Sequence, residues 1–100
     1  MTTTPAQFQP PRQVLAVDDH GAARQWIGDA VRAAFPAATL LTAQNAREAI
    51  TLLTAEPVDL AVIDLGLPDA SGLEVLRLLR QRRPACVPII ATVFDDDAHL

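Results

Sequence analysis

The chain contains no lysine: its eight cations are all arginine, so chemistry that needs a lysine ammonium is excluded from these 100 residues. One cysteine, Cys86, has no second thiol to pair with. It reads as a reduced, half-buried thiol of an intracellular protein. No apolar run is long enough to span a bilayer, so no membrane association is expected. The opening MTTTPAQFQPPRQ lacks the basic start and apolar core of a signal peptide, and the expected location is the cytoplasm. Net basic charge is missing too. At a net charge of −4, nonspecific nucleic-acid binding by the whole chain is not expected. The segment after the first apolar run reads DDHGAAR, without the glycine-rich turn that a dinucleotide site needs.

What is present is the composition of one globular domain, with 50% hydrophobic and 20% charged residues. Residues 1–12, rich in Thr and Pro, are expected to form a flexible tail, with the domain over residues 13–100. Four apolar runs follow: VLAV (14–17), TLLTA (39–43), DLAVID (59–64) and VPIIAT (87–92). Continuous runs of this length predict strands buried on both faces, as in a parallel sheet.

Helical patterns separate the runs. Ala23, Trp26, Ile27, Ala30, Val31 and Ala34 form an apolar stripe that stops before Pro36. Ala46, Ala49, Ile50 and Leu53 form a second, with Asn45 as its N-cap and Pro57 beyond its end. Leu73, Val75, Leu76 and Leu79 form a third, ended near Pro84. The alternation βαβαβαβ predicts an α/β fold with right-handed crossovers. DDDAHL (95–100) reads as a helix start, with Asp95, Asp96 and Asp97 suited to a first turn. The expectation is a domain cut short at its C-terminal side.

Three runs end in polar residues: Asp18 and Asp19, Asp64, and Thr92. In an open parallel sheet, ligands bind beyond the carboxyl ends of the strands. If the first and third runs are neighbours, the three carboxylates converge. Such carboxylates repel one another, and the arrangement needs a cation or a proton among them. Hard oxygen donors on an open site suit Mg²⁺, which keeps several waters and binds substrate phosphate. Asp18 and Asp19 are therefore read as metal ligands. Asp64 can share the metal and act as a covalent phosphoryl acceptor. The Thr92 hydroxyl can donate to a phosphoryl oxygen. The strand fixes the position of Asp64, and the GLPDASG loop after it leaves room for a phosphodonor.

VLAVDDHGAARQWI, AVIDLGLPDASGLEVLRLLR and VPIIATVFDDDAHL resemble the receiver domain of bacterial two-component response regulators. DDH followed by Arg24, together with DLxLPxxSG, is nearest to the subgroup with a helix-turn-helix output domain. The resemblance covers residues 13–100. It implies a flavodoxin-like, doubly wound parallel sheet of order 2-1-3-4, with the fifth strand and last helix missing. It implies that Asp64 takes a phosphoryl group from a phosphohistidine on a sensor histidine kinase. Mg²⁺ would be held by Asp18, Asp19, Asp64 and the backbone carbonyl of Gly66, and Thr92 would be the switch hydroxyl. Such a module is a phosphoacceptor in signal transduction, not a turnover enzyme. The family also places a Lys and a switch aromatic on the fifth strand, and this chain has no pattern for that strand. The alternative reading is an unphosphorylated pseudo-receiver serving as an interaction module. An open sheet edge is expected to favour a homodimer or a swapped assembly. A hydrolase of the haloacid dehalogenase type would want an acid at position 66, where Gly66 stands.

Other residues receive blander readings. His20 can ligate metal but is read first as a rim residue at a helix N-terminus. His99 is read as solvated. Arg77, Arg80, Arg82 and Arg83 are read as a solvated helix face. Pro68 and Gly72 are read as a turn into the third helix, without chemistry.

Overall fold

The computed structural model describes residues 9–91. The order is β1 (Gln13–Val17), α1 (Gly21–Ala34), β2 (Thr39–Ala43), α2 (Ala46–Ala55), β3 (Leu60–Ile63), α3 (Gly72–Arg82) and β4 (Val87–Ile90). Each helix ends two residues before a proline, at Pro36, Pro57 and Pro84. Proline cannot continue a helix and pushes the residue before it into extended backbone. Asn45 caps α2 as expected: its side chain accepts from the Glu48 N–H at 2.8 Å. Ser71 caps α3 through the Leu73 N–H at 3.1 Å.

The four strands form one parallel sheet in the order β2-β1-β3-β4. Val17 lies beside Ala43 on one side and Ile63 on the other. Side chains alternate across the sheet and build two cores. Leu15, Val17, Ala61 and Ile63 pack with Ala49, Leu53, Val75 and Leu79 of α2 and α3. Val14, Ala16 and Val62 pack with Ile27 and Val31 of α1. Helices therefore cover both faces, which is the doubly wound arrangement.

Burial departs from the sequence pattern in four places, the first being the edge strand β2, where Thr39 and Thr42 are exposed and only Ala43 is buried. The central strands β1 and β3 are covered on both faces, but β4 exposes Val87, Ile89 and Ile90. Among the described residues, β4 has β3 on one side and no strand on the other. In α1 the buried line runs through Ile27, Gly28 and Val31, while Trp26 is 73% exposed and Ala30 and Ala34 face outward. Gly28 is the reason. A Cβ there would stand 3.0 Å from Leu40 Cδ2, so the helix lies against β2 along its glycine and turns Trp26 away. In α3, Leu73 is exposed while Val75 and Leu79 are buried.

Arg83 is also corrected. It is not a solvated side chain: Nε donates to the Leu53 carbonyl at 2.9 Å and Nη2 to that of Thr54 at 3.2 Å. It satisfies carbonyls at the C-terminus of α2, where a cation also suits the helix dipole. Cys86 is buried, and burial pushes its thiol up to about 11.

Candidate functional site

The ladder of the sheet continues one residue past the strands and locks the acids in place. The Asp18 N–H donates to the Ala43 carbonyl at 3.0 Å. The Asp64 N–H donates to the Val17 carbonyl at 2.9 Å. Parallel pairing of β1 and β3 thus sets Asp18 and Asp64 side by side at the carboxyl end of the sheet. Asp19 follows on the exposed rim.

Asp18, Asp19, His20 and Asp64 each offer a ligand atom, and these atoms all lie within 4.8 Å of one another. Asp18 and Asp64 are buried, whereas Asp19 and His20 are open to solvent. Asp18 Oδ1 accepts the His20 N–H at 2.9 Å, and Arg24 Nη1 grips the Asp18 carbonyl at 2.7 Å. Asp18 Oδ2 is buried with no hydrogen-bond partner among the described residues. A buried carboxylate oxygen left unpaired is costly. Beside two further carboxylates, its natural complement is a cation. The all-oxygen acidic donors suit a hard divalent ion such as Mg²⁺.

The loop after β3 is built around Asp64. Its Oδ1 accepts the Gly66 N–H at 3.1 Å, and Gly66 pairs with Ser71 in an isolated bridge. Gly72 donates its N–H to the Leu65 carbonyl at 2.9 Å. A Cβ on Gly72 would collide with the Asp64 carbonyl oxygen and stand 2.8 Å from Leu65 Cα. The sequence reading assigned Gly72 only to a turn; its missing side chain is what lets α3 start against the backbone of Asp64.

Asp69, in the same loop, was not singled out from the sequence. Its two oxygens accept the Ala46 N–H at 2.8 Å and the Arg47 N–H at 2.9 Å, which ties the loop to the N-terminus of α2. These hydrogen bonds hold its carboxyl below the ordinary value. Asp69 thus caps a helix that starts 23 residues earlier, across the fold, and no local spacing signals it. Thr92 lies outside the described residues, as do Asp95, Asp96, Asp97 and His99.

His20 lies at the rim, as read, but is not a bystander. Its Nδ1 is 3.1 Å from Asp18 Oδ1 and 3.1 Å from Asp19 Oδ1. The hydrogen bond to Asp18, then the charge of Asp19, hold its pKa above the ordinary 6.5. The sequence signal was its place directly after the acidic pair.

Comparison with known proteins decides the family. The model of the response regulator receiver domain matches residues 14–100. The chain belongs to the receiver family. Among curated relatives, a cyclic di-GMP phosphodiesterase of Thermotoga maritima is 32% identical over 83 residues, covering 83% of this chain and 22% of that protein. The DNA-binding transcriptional activator DevR/DosR of Mycobacterium tuberculosis is 33% identical over 85 residues, covering 85% of this chain and 39% of that protein. A CheY-like response regulator receiver domain protein of Methanospirillum hungatei superposes with a TM-score of 0.75 at 28% identity, covering 83% of this chain and 65% of the other. This receiver thus spans well under half of the curated relatives it matches. It shares the flavodoxin-like fold with that solved structure, and its own sheet has the 2-1-3-4 strand order expected from the sequence. No helix among its described residues is long and apolar enough to cross a membrane.

Proposed function

We propose that this receiver takes a phosphoryl group from a phosphohistidine of a sensor histidine kinase onto Asp64. An Asp64 carboxylate oxygen forms a new P–O bond as the donor's P–N bond breaks, and the electron pair leaves on the imidazole nitrogen. Asp18, Asp19, Asp64 and the Gly66 carbonyl would hold Mg²⁺, which neutralises charge on the phosphoryl oxygens. The Thr92 hydroxyl is assigned the switch role on the family's pattern. The observation that carries this reading is the pair of strand-end acids, Asp18 and Asp64, held side by side with Asp18 Oδ2 buried and unpartnered.

The module spans residues 13–100, with Arg12 already held to Asp59 and Thr39 ahead of β1, and acts in the cytoplasm as a phosphoacceptor that assists its own phosphorylation. It controls an output domain outside these residues. The DDH and LPxxSG segments and the DNA-binding relative favour a helix-turn-helix output and transcription regulation. Nucleic-acid contact then lies in the output domain, in keeping with the net charge of −4 here. The outer edge of β4, flanked by exposed Val87 and Ile89, is the surface for pairing or swapping with a second copy.

The test is incubation with a small-molecule phosphodonor, with and without Mg²⁺, read by intact mass beside Asp64→Asn. The expected result is a Mg²⁺-dependent gain of one phosphoryl group that the variant lacks. No gain in a chain shown by circular dichroism to be folded would replace this reading with that of an unphosphorylated interaction module.

A further inference from the structure

His20 is the N-cap of α1, yet its side chain makes no capping hydrogen bond. The ring turns to the acids instead, with Nδ1 3.1 Å from an oxygen of Asp18 and 3.1 Å from one of Asp19. Two donors bound at about 2.1 Å and at right angles on an octahedral ion stand about 3.0 Å apart. Nδ1 is therefore already at the spacing of an adjacent ligand from two separate carboxylates. On the same carboxylate, Asp18 Oδ2 is buried and has no hydrogen-bond partner among the described residues, so the pocket keeps an acceptor free for a cation. The His20 side chain is 71% exposed, so the ring can adjust without disturbing the core.

We propose that His20 ligates the metal of this pocket through Nδ1 and shifts its preference from Mg²⁺ toward Mn²⁺ and the later first-row divalent ions. The inference rests on reading Asp18, Asp19 and Asp64 as a cation pocket. Its chemistry is simple. Mg²⁺ takes oxygen donors and water, and gains little from an imidazole. First-row transition ions bind imidazole nitrogen increasingly well from Mn²⁺ onward. One nitrogen among three carboxylates therefore separates the two kinds of ion.

Mn²⁺ is the probe. It is titrated into the native chain and into His20→Ala, with binding followed by loss of the free-ion electron paramagnetic resonance signal. Coupling of bound Mn²⁺ to ¹⁴N is read by electron spin-echo envelope modulation, and Mg²⁺ affinity by competition. The native chain is expected to show imidazole ¹⁴N modulation that His20→Ala lacks. Mn²⁺ affinity should fall about tenfold in the variant, while Mg²⁺ affinity changes less than about threefold. Bound Mn²⁺ without imidazole modulation, or modulation that persists in His20→Ala, overturns the ligation and leaves the carboxylate pocket standing. Mn²⁺ bound by neither chain overturns the pocket itself.

Discussion

Asp59 and Asp64 bracket the same short strand, β3, and meet opposite surroundings. At the N-terminal end, one Asp59 oxygen accepts two backbone N–H groups, from Arg12 at 2.8 Å and Gln13 at 3.0 Å. That carboxylate fastens the start of β1 to β3 and has its charge met by protein donors. At the carboxyl end, Asp64 takes the Gly66 N–H and faces two further acids, one with an oxygen that no described group satisfies. A carboxylate whose hydrogen bonds are filled by backbone is a structural fastener. A carboxylate packed among its own kind is held for something that arrives from outside.

The sharpest way to break this contrast is to deform the open end without touching its charges. Gly72→Ala should force α3 away from the Asp64 backbone and cost about 3 kcal/mol, read by urea denaturation. It should also weaken Mn²⁺ binding, although position 72 contributes no ligand. An unchanged midpoint would mean that the loop yields freely and does not position Asp64.

Next come paired substitutions of opposite expected sign. Asp18→Asn removes one charge from a crowded, buried cluster and should stabilise the metal-free protein by about 1 kcal/mol while reducing metal affinity. Asp59→Ala removes the fastener at the other end and should destabilise by about 1 kcal/mol, with metal affinity unchanged. The same sign for both would erase the distinction between the two ends.

The smallest expected effect belongs to Asp69, which fastens the site loop to α2. Its folded-state pKa is lowered, so its contribution is present above the unfolded value of 3.8 and lost as pH falls through the lower folded value. Asp69→Asn should lower the melting temperature at pH 7, and the gap between the two proteins should close below pH 3.8. A gap that stays constant down to low pH would mean that the charge plays no part.

Much of the fold can be read along the chain because its signals are local. The apolar runs, the three prolines and Asn45 act within a turn or two of their own positions. The candidate site was legible at Asp18, Asp19 and Asp64 for the same reason: each breaks an apolar run where a strand must stop. Gly72 and Asp69 were not legible in their roles. One leaves room for a carbonyl eight positions back, and the other caps a helix that precedes it. The outward turn of Trp26 was hidden because it depends on Gly28 meeting Leu40 of another element.

The amino-acid order by itself determined the sequence of strands and helices, their approximate ends, and the acids that stand where strands run out. Local propensity and hydrophobic period suffice for that. Only the tertiary structure decided which acids are satisfied and which converge. The parallel pairing of β1 with β3 joins segments far apart in the chain, and it alone brings Asp18 to Asp64 and the His20 ring to their shared pocket.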